Sequence, residues 1–255
     1  SRFATRIKNG DRIYKNNKED LIMNIRDMMR RSAIFHRDRI AIIAGDHRLT
    51  YHEAWERGVR MANLLLSLGL KPGDRVGSLE DNTLEAVDFF LGAAIANIVR
   101  VPLYARNARS SHQAMLEQTQ CKAVVVAEKY ADQLEGMNHE IALLDHIIVR
   151  QANGYEDWLA SFSNIDPDVP AKGEDLYVIR HTGGTTGKPK GVSFTHKAWL
   201  DIGRNWFFTM PPVSRKSRQP SATSRLACMV TYRGRPSTTA KPLRWQRSSG
   251  ANLLM

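Results

Sequence analysis

One stretch of the chain concentrates residues that could do chemistry: His181-Thr182-Gly183-Gly184-Thr185-Thr186-Gly187-Lys188-Pro189-Lys190-Gly191. Closely spaced glycines let successive backbone N–H groups turn towards one point, and threonine hydroxyls add further donors. Two lysines bring positive charge. Donors converging on a point with cations beside them suit the oxygens of a phosphate chain. The stretch is not a Walker A loop. Counting back from Gly187-Lys188, the first required glycine falls on Thr182, and the required Ser or Thr falls on Pro189. A glycine-rich hairpin with no ligand is the plainer alternative, and the long string of specific residue types argues against it.

Other residues carry weaker signals. His196 follows an apolar strand and reads as a satisfied structural histidine rather than an acid–base group. Trp199, Trp206, Phe207 and Phe208 could line an acyl pocket, but their helical spacing is more often that of ordinary core. Cys121 reads as a small buried hydrophobe. Cys121 and Cys228 are too few for a disulfide framework and lack metal-ligand spacing, which makes a reducing, cytoplasmic setting the default. Arg30-Arg31 and Arg37–Arg39 read as a solvated face.

The elements that must position the loop alternate between strand and helix. Asp175–Arg180 before it and Gly191–His196 after it are strand-like, so the loop is predicted to join two strands. Upstream, Thr50 and Glu53 form a capping box, and Tyr51, Trp55, Val59, Ala62 and Leu66 then mark one apolar helix face. Gly69 suits the end of that helix, and Lys71-Pro72-Gly73-Asp74 is turn chemistry. Arg75–Leu79 reads as a strand. Asn82 and Glu85 repeat the capping spacing ahead of a helix carrying Leu84, Val87, Phe90 and Leu91. Strands are predicted over Ile98–Leu103 and Asp145–Arg150, and a helix over Ser111–Gln118. Ala123–Ala127 is apolar throughout, as expected of an interior parallel strand. This alternation predicts an α/β fold with mainly parallel sheet flanked by helices.

The 255 residues suffice for one large core or two smaller ones, and the 42% hydrophobic and 25% charged content is ordinary for a globular chain. No run of about 18 apolar residues suggests a transmembrane segment. The first twenty residues lack the apolar stretch of a secretory signal. The chain begins at Ser1 rather than Met, which suggests a partial sequence. Of the formal charge of +11, most belongs to Pro211–Met255, which holds nine Lys or Arg and no Asp or Glu. The expected organisation is an extension over 1–20, a first α/β unit over 21–163, a linker and phosphate-loop segment over 164–212, and a basic tail over 213–255. Asn164–Pro170 is the best linker candidate.

Thr182–Gly191 resembles the T-[SG]-G-T-T-G-x-P-K-G signature of the adenylate-forming superfamily, which includes acyl-CoA synthetases, luciferases and peptide-synthetase adenylation domains. It carries Gly183 where Ser is more usual, losing one hydroxyl while keeping the backbone donors. The resemblance continues through Arg48–Tyr51, Gly69–Val76 and Val101–Leu103, covering about Leu21 to Pro212. Thr195–Leu200 is more similar to acyl-CoA synthetases than to peptide synthetases. The resemblance implies ATP as substrate with Mg²⁺, CoA as co-substrate, and a small carboxylic acid as the group activated. It assigns Thr182, Gly183, Gly184, Thr185, Thr186, Gly187 and Lys190 to the β- and γ-phosphates, with Lys188, at a variable position, ranked below Lys190.

By the same resemblance, the acidic Mg²⁺ ligand, the ribose-binding Asp, the hinge Arg and the catalytic Lys should lie beyond the loop. Nothing in Pro211–Met255 matches them. A shifted reading frame from Ala222 to Val230 can encode His-Val-Ala-Pro and, continuing from that same Pro, Pro-x-x-His-Gly, an element that acyl-CoA synthetases carry at about this distance. The expectation is therefore a one-base frameshift near Val213–Lys216, leaving an inactive N-terminal fragment. The alternative is a genuine, basic, disordered tail. Two other functional readings stay open: an amino-acid adenylation fragment, and a non-catalytic module whose tail binds polyanions. With only Tyr232 and Trp245 as aromatics, the tail lacks interleaved stacking residues, and no nucleic-acid partner is expected.

Overall fold

A computed structural model describes residues 24–151, 153–182, 190–209 and 253–254. Helix α1 (Ile25–Phe35) starts where the Asn24 side chain accepts the Asp27 N–H at 2.8 Å. A hairpin of β1 (Ile40–Ala44) and β2 (His47–Thr50) follows, turned at Gly45 with φ +59°. Neither α1 nor this hairpin is among the sequence expectations. The predicted capping box is present at α2 (Tyr51–Ser67): Glu53 N–H donates to Thr50 Oγ1 at 3.2 Å, and Thr50 N–H to Glu53 Oε2 at 2.7 Å. Gly69 and Gly73 take the left-handed φ values of +79° and +85°, which a side chain would disfavour. Asp74 closes the turn between them by accepting the Lys71 N–H at 2.8 Å.

Strand β3 (Arg75–Leu79) leads to α3 (Leu84–Ile95), β4 (Val99–Pro102), α4 (Arg109–Gln118) and β5 (Cys121–Ala127). Helix α3 is capped one residue later than expected. Thr83 rather than Asn82 accepts an N–H, from Ala86 at 3.4 Å, because Leu84 is already helical. A 3₁₀ turn (Glu128–Gln133) and the short α5 (Met137–Glu140) lead to β6 (His146–Arg150) and α6 (Tyr155–Ala160). Strands β7 (Leu176–His181) and β8 (Gly191–Thr195) then precede α7 (His196–Thr209), and Leu253–Leu254 forms β9 against β1.

Six strands form one sheet in the order β6-β5-β3-β4-β7-β8, parallel from β6 to β7 and antiparallel between β7 and β8. Strand β5 shows why the run around Val124 is apolar throughout. Ala123 and Val125 pack with α2, α3 and α6 residues such as Leu65, Phe89 and Leu159 on one face. Val124 and Val126 pack with Met115 and Leu116 of α4 on the other. A third cluster joins Ile25 of α1, Phe90 of α3, Tyr177 of β7 and Trp199 of α7. Trp199 is therefore a core residue; Trp206, Phe207 and Phe208 have side chains outside the described residues.

Segment 164–170 is fastened to the helices. Asp166 accepts the Arg26 guanidinium at 2.9 Å, and Asn63 Nδ2 donates to the Ile165 carbonyl at 2.9 Å. It delivers the chain to β7, which pairs with β4 in the same sheet. Among the described residues, no helix is long and apolar enough to cross a membrane.

Candidate functional site

In an open parallel sheet, ligands approach the edge where the strands end, since the loops there can vary without disturbing the core. Here that edge carries several polar groups. Glu80, just past β3, pairs with Arg150 at the end of β6. Asp81 pairs with Lys129 and accepts the Tyr130 hydroxyl at 2.8 Å. Burial works to raise the Asp81 pKa, but these two donors outweigh it and hold the carboxylate below its usual range.

Strand β7 ends on this edge and hands the chain to the glycine-rich loop. The antiparallel β7–β8 pairing sets His181 opposite Gly191, and Thr182 N–H donates to the Lys190 carbonyl at 2.9 Å. The expected strand–loop–strand arrangement is thus present, with Thr182 and Lys190 exposed and brought together at the neck. Gly183, Gly184, Thr185, Thr186, Gly187 and Lys188 lie outside the described residues. Gly191 has a steric reason to be glycine. A Cβ there would stand 3.0 Å from Ile179 Cγ2 and 3.7 Å from His181 Nε2.

Two contacts around the neck escape the sequence. The Tyr104 hydroxyl donates to the His181 carbonyl at 2.7 Å, and the Tyr104 carbonyl lies 3.0 Å from His112 Nε2. The first joins the β4–α4 connection to the end of β7 and depends on β7 lying beside β4; the second ties that connection back to α4. His181 itself is 3% exposed, and neither ring nitrogen has a hydrogen-bond partner among the described residues. An orphaned buried polar group costs about 1–3 kcal/mol. Burial also lowers the His181 pKa, so the ring is neutral near pH 7.

His196 behaves oppositely and agrees with the structural expectation. Its Nδ1 accepts the Ile25 N–H at 3.3 Å, and its Nε2 faces Asn97 Oδ1 at 3.2 Å. Burial drives its pKa down to about 4. Cys121 is buried, and that burial pushes its thiol up to about 11, far from a reactive thiolate. Among the described residues, no group of three or more His, Cys, Asp or Glu could hold a metal ion.

Residues 29–232, most of the chain, match the family described as AMP-binding enzyme. The chain belongs to this family. Among the relatives of this AMP-binding enzyme is a 3-oxocholest-4-en-26-oate–CoA ligase from Rhodococcus rhodochrous, 25% identical over 195 residues that cover 72% of this chain and 35% of the ligase. Gramicidin S synthase 2 from Brevibacillus brevis is 28% identical over 170 residues, covering 66% of this chain and 4% of that protein. Among solved structures, the inhibitor-bound N-terminal domain of FACL13 from Mycobacterium tuberculosis superposes with a TM-score of 0.65 at 29% identity, covering 72% of this chain and 47% of that one. The chain spans about a third of the length of the CoA ligases it matches. Its helix-flanked, mostly parallel sheet is the architecture shared with these AMP-binding neighbours.

Proposed function

We propose that the chain is the N-terminal part of an ATP-dependent carboxylic acid–CoA ligase. The observation that carries this reading is the Thr182–Gly191 signature, whose neck opens on the strand-end edge of the sheet. In the reaction, a substrate carboxylate attacks the α-phosphorus of ATP, forming acyl-adenylate and releasing pyrophosphate. The CoA thiol then attacks the acyl carbon, loses its proton and releases AMP. The attacking carboxylate is already ionised, so no general base is required for the first step.

The work of this chain is orientation and charge neutralisation. Thr182, Gly183, Gly184, Thr185, Thr186, Gly187 and Lys190 hold the β- and γ-phosphates, and Lys188 contributes less. Donors fixed before reaction stabilise the charge gathering on pyrophosphate without reorganising as it leaves. Mg²⁺, when bound with the nucleotide, would neutralise further phosphate charge; no step is assigned to it through the described residues.

The 255 residues by themselves do not complete turnover in this reading. Support comes from the third of the ligase length that they span and from the lack of any stretch resembling the adenine, ribose and lysine elements. The test is to supply the chain with ATP, Mg²⁺, CoA and a panel of carboxylic acids while following AMP release and thiol loss. No turnover is expected, and robust acyl-CoA formation would refute the incompleteness. In the full-length parent, pyrophosphate exchange should depend on a carboxylic acid and be followed by CoA-dependent AMP release. Exchange supported only by α-amino acids would instead favour the peptide-synthetase reading, to which the gramicidin synthase likeness lends some weight.

A further inference from the structure

The arginines at the end of α1 and in the turn after it frame an apolar tip. Every residue from Ile34 to Ile40 is exposed. Three of them are large and apolar: Ile34 is 63% exposed, Phe35 71% and Ile40 47%. Ile25 and Ala33 of the same helix are buried, so α1 packs by its other side and turns Ile34 and Phe35 outwards. Neighbouring large apolar side chains left in water, rimmed by polar groups, mark an interaction surface.

The backbone of this tip is held firmly. His36 N–H donates to the Ser32 carbonyl and Arg39 N–H to the His36 carbonyl, both at 2.9 Å. The Arg37 and Arg39 carbonyls accept the N–H groups of His52 and Tyr51 at 3.2 and 3.0 Å, which seats the turn on the start of α2. Charge is concentrated there as well. From Arg30 to Ile40 the chain carries Arg30, Arg31, Arg37 and Arg39 against a single acid, Asp38. The Arg31 guanidinium carbon lies 5.8 Å from the centre of the Phe35 ring, so cation and apolar surface stand side by side. Guanidinium groups pair with phosphate oxygens, and apolar side chains flanked by such cations suit the boundary between headgroups and acyl chains. Side chains this exposed project from the surface. A protein partner would have to offer a pocket to receive them, and a bilayer needs none.

We propose that the end of α1 and the turn after it form a contact for an anionic lipid surface. Ile34 and Phe35 enter the acyl boundary, and Arg31, Arg37 and Arg39 meet the lipid phosphates. The contact uses no residue of the phosphate loop and is independent of the ligase reading.

The test is co-sedimentation of the 255-residue chain with vesicles of phosphatidylcholine alone and of phosphatidylcholine mixed with phosphatidylserine. The wild type should bind the mixed vesicles saturably and the neutral ones much more weakly. The double variant Ile34→Ser, Phe35→Ser should lose affinity for mixed vesicles about tenfold or more, and so should Arg31→Glu, Arg39→Glu. Leu143→Ser, at an exposed site between α5 and β6, should bind as the wild type does. All these side chains are exposed, so each variant should keep a Tm near that of the wild type. Should the serine pair not fold, the glutamate pair decides, and unchanged binding overturns the proposal. No saturable wild-type binding overturns it, as does equal binding to both kinds of vesicle. Mixed-vesicle binding that a folded serine pair leaves unchanged also overturns it, by placing the affinity elsewhere on the chain. Binding of polyglutamate that the serine pair weakens, without vesicle binding, would make the tip a protein-docking surface and overturn the lipid assignment.

Discussion

The imidazole Nε2 of His196 lies 3.2 Å from Asn97 Oδ1, joining the start of α7 to the turn between α3 and β4. Asn97 sits at φ +53° and also donates through Nδ2 to Asp175 at 2.9 Å and to the Pro170 carbonyl at 3.2 Å. With Ile25 N–H on the other ring nitrogen, this junction ties α1, the α3–β4 turn, the approach to β7 and α7 to one another.

That junction makes stability pH-dependent. Burial lowers the His196 pKa from 6.5 to about 4, against the opposing pull of Asp175 and Asp27. Between those values the unfolded chain binds a proton that the folded chain refuses, so stability falls as pH drops from about 6.5 to about 4. The loss should be on the order of 3 kcal/mol. Urea unfolding at pH 7 and pH 5 should show the wild type losing more stability than His196→Gln over that interval; equal losses would refute the assignment.

Asp88 is fully buried on α3 and accepts the Arg57 guanidinium at 2.7 and 2.9 Å and the Tyr155 hydroxyl at 3.0 Å. Removing Arg57 strands a buried carboxylate, so Arg57→Ala should destabilise by about 3–5 kcal/mol. The double variant Arg57→Met, Asp88→Leu should recover much of that loss, as chemical denaturation would show.

Helices α2 and α3 approach closely over Gly92. A Cβ there would lie 2.4 Å from Met61 Cγ, 2.6 Å from Met61 Cβ and 3.0 Å from the Ala62 nitrogen. Gly92→Ala should therefore cost about 1–3 kcal/mol through overpacking, despite the roughly 1 kcal/mol that alanine gains in helix propensity. Thermal unfolding measures the balance, and a stabilised variant would show that the helices can part cheaply.

Within the loop, the two lysines should not be equivalent. Charge-assisted contacts contribute about 1.5–3 kcal/mol, so Lys190→Ala should weaken tripolyphosphate binding by about ten- to a hundredfold. Lys188→Ala should cost distinctly less. Calorimetric titration of both variants checks the ranking, which fails if Lys188 proves the more important.

Features whose causes lie within a turn or two of chain were legible in the sequence. The Thr50–Glu53 box, the Gly69 stop, the Lys71–Asp74 turn and the apolar β5 run all follow from near neighbours, and the structure contains each of them. The capping of α3 slipped by one residue because Asn82 and Thr83 both have cap chemistry, and the helix start decides between them. Helix α1 and the β1–β2 hairpin passed unread, since their apolar residues find partners on distant elements: Ile25 and Ile42 share a cluster with Tyr177 and Trp199.

By itself the sequence supplied the glycines, threonines and lysines of Thr182–Gly191 on which the proposed phosphate-binding role rests, because residue type and close spacing are local properties. It also determined that a strand enters the loop and a strand leaves it. Only the tertiary structure decided that β7 lies beside β4, that Arg57 meets Asp88 across 31 residues, that Tyr104 holds the His181 carbonyl across 77, and that Asn97 meets His196 across 99. It alone showed that His196 uses both ring nitrogens, on Ile25 and Asn97, while neither nitrogen of His181 has a partner among the described residues. The physical reason is that a buried polar group is settled by whatever packing brings within about 3 Å of it, and residue spacing along the chain does not encode that.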